Sequence, residues 1–170
     1  MGTPSRTQTL TGKATGGQAP RLPNSVVGNV GLYYVCYQLS RRGWNVMPTA
    51  RNAKGIDLLA YSDDAKRVLS LQVKALSKRA PVPLGTSSNN FLAKYVVICR
   101  HVLSETPESF VLTPDEVDDL AHRGEKDGRV SYWLQPREYE APAFREAWDR
   151  IGFGYTNANE SGHLTPGKRE

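Results

Sequence analysis

At 170 residues, with 39% hydrophobic side chains, the chain is long enough for one domain with a sizeable core. No apolar run approaches the roughly 18 residues that a membrane span needs, and no signal-peptide core follows the N-terminus, so a cytoplasmic protein without a membrane partner is expected. Residues 1–56 hold seven basic and no acidic side chains, residues 57–100 a net +4 and residues 101–170 a net −6, which points to a polyanionic partner, most simply nucleic acid.

Residues 1–23 are rich in Gly, Thr, Gln, Ser and Pro and read as a disordered basic arm. The domain proper is expected over 24–153, followed by a flexible tail over 154–170. Asn24 or Ser25 can cap a helix from about Val26 to Arg42, with Val27, Val30, Leu32, Val35, Cys36 and Leu39 as its apolar stripe and Gly43 as its end. Trp44 to Met47 starts a strand, and Pro48 to Lys54 is a polar connection. Two apolar strands follow, Gly55 to Tyr61 and Leu69 to Lys74. The segment 77–90 is a long basic loop rich in Pro, Gly, Ser and Asn. Ala93 to Arg100 and Ser109 to Leu112 read as further strands. Thr113-Pro114-Asp115-Glu116 carries the signature of a helix start, for a helix reaching about His122. Val130 to Leu134 is a short strand, and Pro142 to Gly152 an amphipathic helix with Phe144, Ala147, Trp148 and Ile151 on one side. This order describes a mixed α/β domain, a central sheet flanked by helices. Cys36 and Cys99 both lie in apolar segments and read as reduced core thiols.

The pair of strands around residue 65 carries three polar side chains where a plain core strand carries none. The linker from Ser62 to Arg67 suits an exposed turn. If Tyr61 pairs with Val68 across it, antiparallel counting sets Asp57 opposite Gln72. Directly opposed residues share a sheet face, and Lys74 lies two residues beyond Gln72. A carboxylate, an amide oxygen and an ammonium then converge, a grouping able to hold a divalent cation beside a phosphate. Each residue also has a plainer reading. Asp57 can simply begin a strand, and Gln72 and Lys74 can be the solvated face of an edge strand whose inner face is Leu69, Leu71 and Val73. His101, His122 and His163 form no ligand set. Ser62 and Ser70 lack a nearby His for a hydrolase triad. Tyr33, Tyr34 and Tyr37 sit at helical spacing and read as packing.

With a helix, then Gly55-Ile56-Asp57, then Gln72-Val73-Lys74 and a further apolar strand, residues 26–100 resemble the PD-(D/E)XK nuclease superfamily, which has the restriction-endonuclease-like fold. The likeness is to small prokaryotic members similar to Holliday-junction resolvases and to uncharacterised relatives. It is the Gln-x-Lys variant, and Phe110-Val111-Leu112-Thr113-Pro114 and 144–148 resemble the downstream part of those relatives. The resemblance implies catalytic roles for Asp57, Gln72 and Lys74. Mg²⁺ or Mn²⁺ would be held by Asp57, the Gln72 oxygen and the Val73 carbonyl. Relatives usually carry a Glu in the first helix, within Gly-Glu-x-x-Val; here Gly31-Leu32-Tyr33-Tyr34-Val35 puts Leu32 there, leaving Asp57 as the sole motif carboxylate. The implied function is a metal-dependent DNA endonuclease in restriction, repair or phage defence. The alternative is a catalytically inactive nuclease fold that binds nucleic acid or a protein partner. Arg41, Arg42, Arg51, Lys54, Lys78 and Arg79 are the candidate nucleic-acid contacts, and a homodimer is the assembly to test.

Overall fold

The computed structural model describes residues 22–49, 55–89 and 91–155. Arg51, Lys54 and nearly all of the arm and tail lie outside them. Helix α1 (Asn24–Ser40) starts earlier than its sequence suggests. Neither Asn24 nor Ser25 caps it: Pro23 is the N-cap residue, without a side-chain cap, and its carbonyl accepts from Val26 and Val27 at 3.0 and 3.1 Å. Proline, with its φ set near the helical value, enters a helix readily and lets the turn begin two residues sooner. Gly43 ends the helical segment at φ +79°, a conformation costly for any residue with a Cβ.

Strands β1 (Asn45–Pro48), β2 (Leu58–Tyr61), β3 (Val68–Ala75), β5 (Tyr95–Arg100) and β6 (Glu108–Leu112) form one mixed sheet in the order β1-β2-β3-β5-β6. The β3–β5 pair is parallel and the other pairs are antiparallel. The hairpin register pairs Tyr61 with Val68 and Leu58 with Leu71, as counted, but the ladder stops there and does not pair Asp57 with Gln72, because the Asp57 N–H goes to the Leu71 carbonyl. One face of this sheet, with Leu58, Ala60, Leu69, Leu71, Val97 and Cys99, packs under α1. Gly31 makes the approach possible, since a Cβ there would come within 2.5 Å of the Ala75 Cβ. The opposite face, with Val96, Ile98, Phe110 and Leu112, packs against a second, smaller layer.

That layer differs most from expectation. The 77–90 segment is not structureless: it forms β4 (Val82–Gly85), which joins β7 (His122–Lys126) and β8 (Arg129–Leu134) in a three-stranded sheet ordered β4-β8-β7. The capping box of α2 (Pro114–Asp119) is complete, but the helix stops short of His122, which instead opens β7. A one-turn helix, α3 (Pro136–Tyr139), follows β8. The expected helix over 142–152 is also replaced, by turns and a 3-10 turn at Trp148–Arg150. The backbone there is drawn onto the β6 edge, where Val111 N–H donates to the Phe144 carbonyl at 2.9 Å and Glu146 N–H to the Ser109 carbonyl at 2.8 Å. Trp148 and Ile151 still reach the core, as their spacing implied. Among the described residues no helix is long and apolar enough to cross a membrane. Cys36 and Cys99 are buried and unpaired with each other, and burial raises both thiol pKa values.

Glu116 joins the α2 cap to the last turn of the fold. Burial disfavours its charge, but the Arg150 guanidinium at 2.6 Å and the Thr113 N–H at 2.8 Å prevail and lower its pKa. A lowered carboxylate pKa means stability present above the unfolded value and lost as pH falls through the folded one. Glu116→Gln is therefore expected to cost about 1–2 kcal/mol at pH 7, and less near pH 3. Urea melts of both proteins at the two pH values check this; a cost that does not shrink with acid would contradict it.

Candidate active site

Asp57 stands one residue before β2, and its backbone is clamped from both sides. Its N–H donates to the Leu71 carbonyl at 2.9 Å, and its carbonyl accepts from Thr49 N–H at 3.0 Å. Strand β2 begins at Leu58, opposite Leu71, so β3 runs on unpaired on this side. The Asp57 carboxylate fills that opening: Oδ2 accepts from Val73 N–H at 2.8 Å. The N–H and C=O of a strand residue point to the same side, so the Val73 carbonyl faces the same opening.

Gln72 and Lys74 pair with Val96 and Ile98, so their side chains stand on the face away from α1. The Gln72 Oε1 is buried and has no hydrogen-bond partner among the described residues. An orphaned buried carbonyl oxygen costs about 1–3 kcal/mol, so something electropositive is the natural complement. Lys74 is half-buried. Burial pushes its ammonium below the usual lysine pKa, and the nearby Asp57 carboxylate partly opposes that shift. Its Nζ lies 5.9 Å from the centre of the Phe91 ring. The sequence offered no signal for Phe91, because its role depends on how the chain after β4 folds back over the hairpin.

The residues that could hold a divalent cation are thus Asp57, Gln72 and Val73. One carboxylate, one amide oxygen and one backbone carbonyl make a sparse set of hard oxygen ligands. Mg²⁺ accepts such a set when waters and phosphate oxygens complete the shell. Among the described residues no three His, Cys, Asp or Glu side chains gather in one place, so no carboxylate-rich site competes. Leu32 does not add to the set as it stands: it is half-buried and packs with Val30, Val73 and Ala75 against the core under α1.

The proposed nucleic-acid contacts separate. Lys78 lies beside the site, lining with Lys74, Asn24 and Val27 a cavity of about 320 Å³. Arg79 is held in a two-pronged pair with Glu140 at 2.7 and 2.9 Å, and Glu140 also meets the buried Arg100. Arg41 lies 5.5 Å from the centre of the Tyr37 ring, while Arg42 bonds the Gln38 carbonyl and side-chain amide oxygen and lies 5.0 Å from the centre of the Trp148 ring. Both belong to the end of α1 beside the start of β1, where Asn45 pairs with Tyr61 at the turn end of the hairpin. That end is four residues from Asp57, about 13 Å along the strand.

No protein-family model matches the chain, and no curated protein sequence does. Among solved structures, a bacterial homing endonuclease matches with a TM-score of 0.51 and 20% identity, covering 75% of this chain and 92% of that one. A Holliday junction resolvase from Archaeoglobus fulgidus matches with a TM-score of 0.42 and 17% identity, over 64% of this chain and 90% of that one. The chain has the restriction-endonuclease-like fold.

The Asp57–Val73 bond gives Asp57 a structural role apart from any chemistry. Asp57→Ala strands the Val73 N–H and is expected to destabilise the fold by about 1–3 kcal/mol. Asp57→Asn retains an acceptor and is expected to lose less than half as much. Urea denaturation separates the two, and equal losses would mean that the bond does not hold the hairpin end.

Proposed function

We propose that this protein is a metal-dependent nuclease that hydrolyses phosphodiester bonds in DNA, with Asp57, Gln72, Val73 and Lys74 as its centre. The observation that carries this reading is the buried, partnerless Gln72 oxygen on the same strand face as Lys74, whose ammonium feels the Asp57 carboxylate. A structural strand face gains nothing from an orphaned oxygen next to a half-buried ammonium.

Asp57, the Gln72 Oε1 and the Val73 carbonyl would hold Mg²⁺ or Mn²⁺. Such an ion polarises phosphoryl oxygens and makes a bound water more acidic. The chain's own part is positioning and charge. The Val73 N–H fixes the Asp57 carboxylate, so no side-chain freedom is lost when substrate arrives. Lys74 is kept partly from water by the protein around it, where its charge acts more strongly on the oxyanion that develops at phosphorus. Asp57 and Lys74 carry opposite charges, so the site is close to neutral and substrate phosphate must supply the remaining negative ligands. DNA is expected to enhance metal binding accordingly.

A second reading has its own support. Asp57 Oδ2 is already engaged by Val73, and Leu32 supplies no carboxylate, which suits a lapsed nuclease that binds nucleic acid without cutting it. Either reading accommodates a role in restriction, repair or phage defence, and a homodimer. Cleavage of plasmid and branched DNA with Mg²⁺ or Mn²⁺ decides between the two. The expected result is metal-dependent cutting that falls at least about 100-fold in Lys74→Ala and in Asp57→Asn. Binding without cutting at any metal concentration would establish the second reading, and neither binding nor cutting would remove both.

A further inference from the structure

At the other end of β3 from Asp57, Lys66, Arg67 and Lys94 line a groove of about 310 Å³ with Trp44, Tyr95 and Ile151, and no lining residue is acidic. Val68 opens β3 here, and Lys74 is six residues further on, about 20 Å along the strand. The groove also opens on the α1 side of the sheet: its inner residues Trp44, Leu69 and Ile151 belong to the core beneath α1. Gln72 and Lys74 point the other way. One phosphate cannot serve both places.

The cations of this groove are held on a fixed frame. Arg67 lies 5.0 Å from the centre of the Trp44 ring, and its Nη2 donates to the Phe153 carbonyl at 2.6 Å. That bond uses one of the five N–H donors of a guanidinium. The Lys94 N–H is anchored to the Ser70 carbonyl at 2.9 Å and to the Ser70 Oγ at 3.1 Å, while its exposed ammonium forms no ion pair among the described residues. Lys66 meets Asp64 at 3.6 Å, with its own side chain 82% exposed. Three positive charges are thus gathered, with two carboxylates in the adjoining turn: Asp64 near Lys66, and Asp63, whose N–H donates to the Gly154 carbonyl at 2.8 Å.

Beside Arg67 stand two exposed aromatic rings, Phe153 and Tyr155, with centroids 5.2 Å apart. Exposed cations along a groove next to an open aromatic face suit a single nucleic-acid strand: phosphates take the cations, and an unstacked base takes the ring. A duplex keeps its bases stacked internally and would leave Phe153 idle.

We infer that Lys66, Arg67 and Lys94, with Phe153, form a second, non-catalytic contact for a single-stranded segment of nucleic acid. This rests on the nucleic-acid reading above. Sequence alone did not single out these residues, because Lys66 and Lys94 come together only through the pairing of β3 with β5.

The test is fluorescence anisotropy of a labelled single-stranded oligonucleotide and of a duplex of equal length, without divalent metal, over a salt series. Lys66→Glu/Lys94→Glu is expected to weaken single-strand binding at least 10-fold at low salt. Its slope of log affinity against log salt should fall by about 1.4, the loss of two phosphate contacts at about 0.7 each. The neutral variant Lys66→Gln/Lys94→Gln should show a smaller weakening, with the wild-type melting temperature in both. Phe153→Ala is expected to cost roughly 5- to 100-fold on the single strand, little on the duplex and nothing in salt slope. If the wild type binds and these variants bind as it does, the groove is not a contact. Equal losses on single strand and duplex, with Phe153→Ala silent, would overturn the single-strand assignment. A wild type that binds neither probe overturns the nucleic-acid reading itself.

Discussion

Strand β2 ends where β3 still has four residues to run, and the side chain of Asp57 closes the opening by accepting the Val73 N–H. The arrangement of the site depends on that bond. It satisfies the side of β3 that β2 leaves open, while pairing with β5 on the other side sets Gln72 and Lys74 on one face. It also turns the Val73 carbonyl to the carboxylate's side. A longer β2 would satisfy the same backbone groups and hide them; a missing carboxylate would leave a bare N–H in a half-buried position.

The charge around this point is nearly balanced. Asp57 partly offsets the desolvation of Lys74, and the small second layer lays Phe91 near the ammonium. Elsewhere the molecule uses its arginines structurally. Arg100 is buried between Glu108 and Glu140 and lies 5.4 Å from the centre of the Phe110 ring, tying β5 to β6 and to the end of α3. Arg79 completes that group, and Arg42 braces Trp148. Basic charge counted along the sequence therefore overstates what is free to meet a polyanion. Lys78 near the site and Lys94 at the far groove form no ion pair among the described residues.

What the sequence made legible follows from local physics. The hairpin register could be counted because a polar turn separates two apolar segments, the second of them alternating strictly from Leu69 to Lys74, and β5 declared itself by an unbroken apolar run. The Thr113–Glu116 cap was visible because all its partners lie within four residues. The features that stayed hidden depend on distant partners. Strand β4 contains a Pro and ends in a Gly and exists by pairing with β8, about fifty residues later. Strand β7, His-Arg-Gly-Glu-Lys, is a polar edge strand with no apolar alternation to detect. The 142–152 segment has helical spacing, but the β6 edge offers its backbone better partners than a helix would. For the site, the shared face of Gln72 and Lys74 was readable from strand alternation, whereas the Asp57–Val73 bond, the orphaned Gln72 oxygen and the Phe91 contact depend on parts of the chain that only folding brings together.

The central claim is that the buried Gln72 oxygen is kept for a cation rather than for the fold. Thermal melting of the wild type and Gln72→Met, with and without Mn²⁺ in the presence of a short DNA, tests it most directly. Methionine fills a similar volume without an orphaned acceptor. The account predicts that Gln72→Met melts higher than the wild type without metal, and that Mn²⁺ raises the melting temperature of the wild type alone. A variant that is less stable than the wild type without metal, or that gains as much from Mn²⁺, would contradict it.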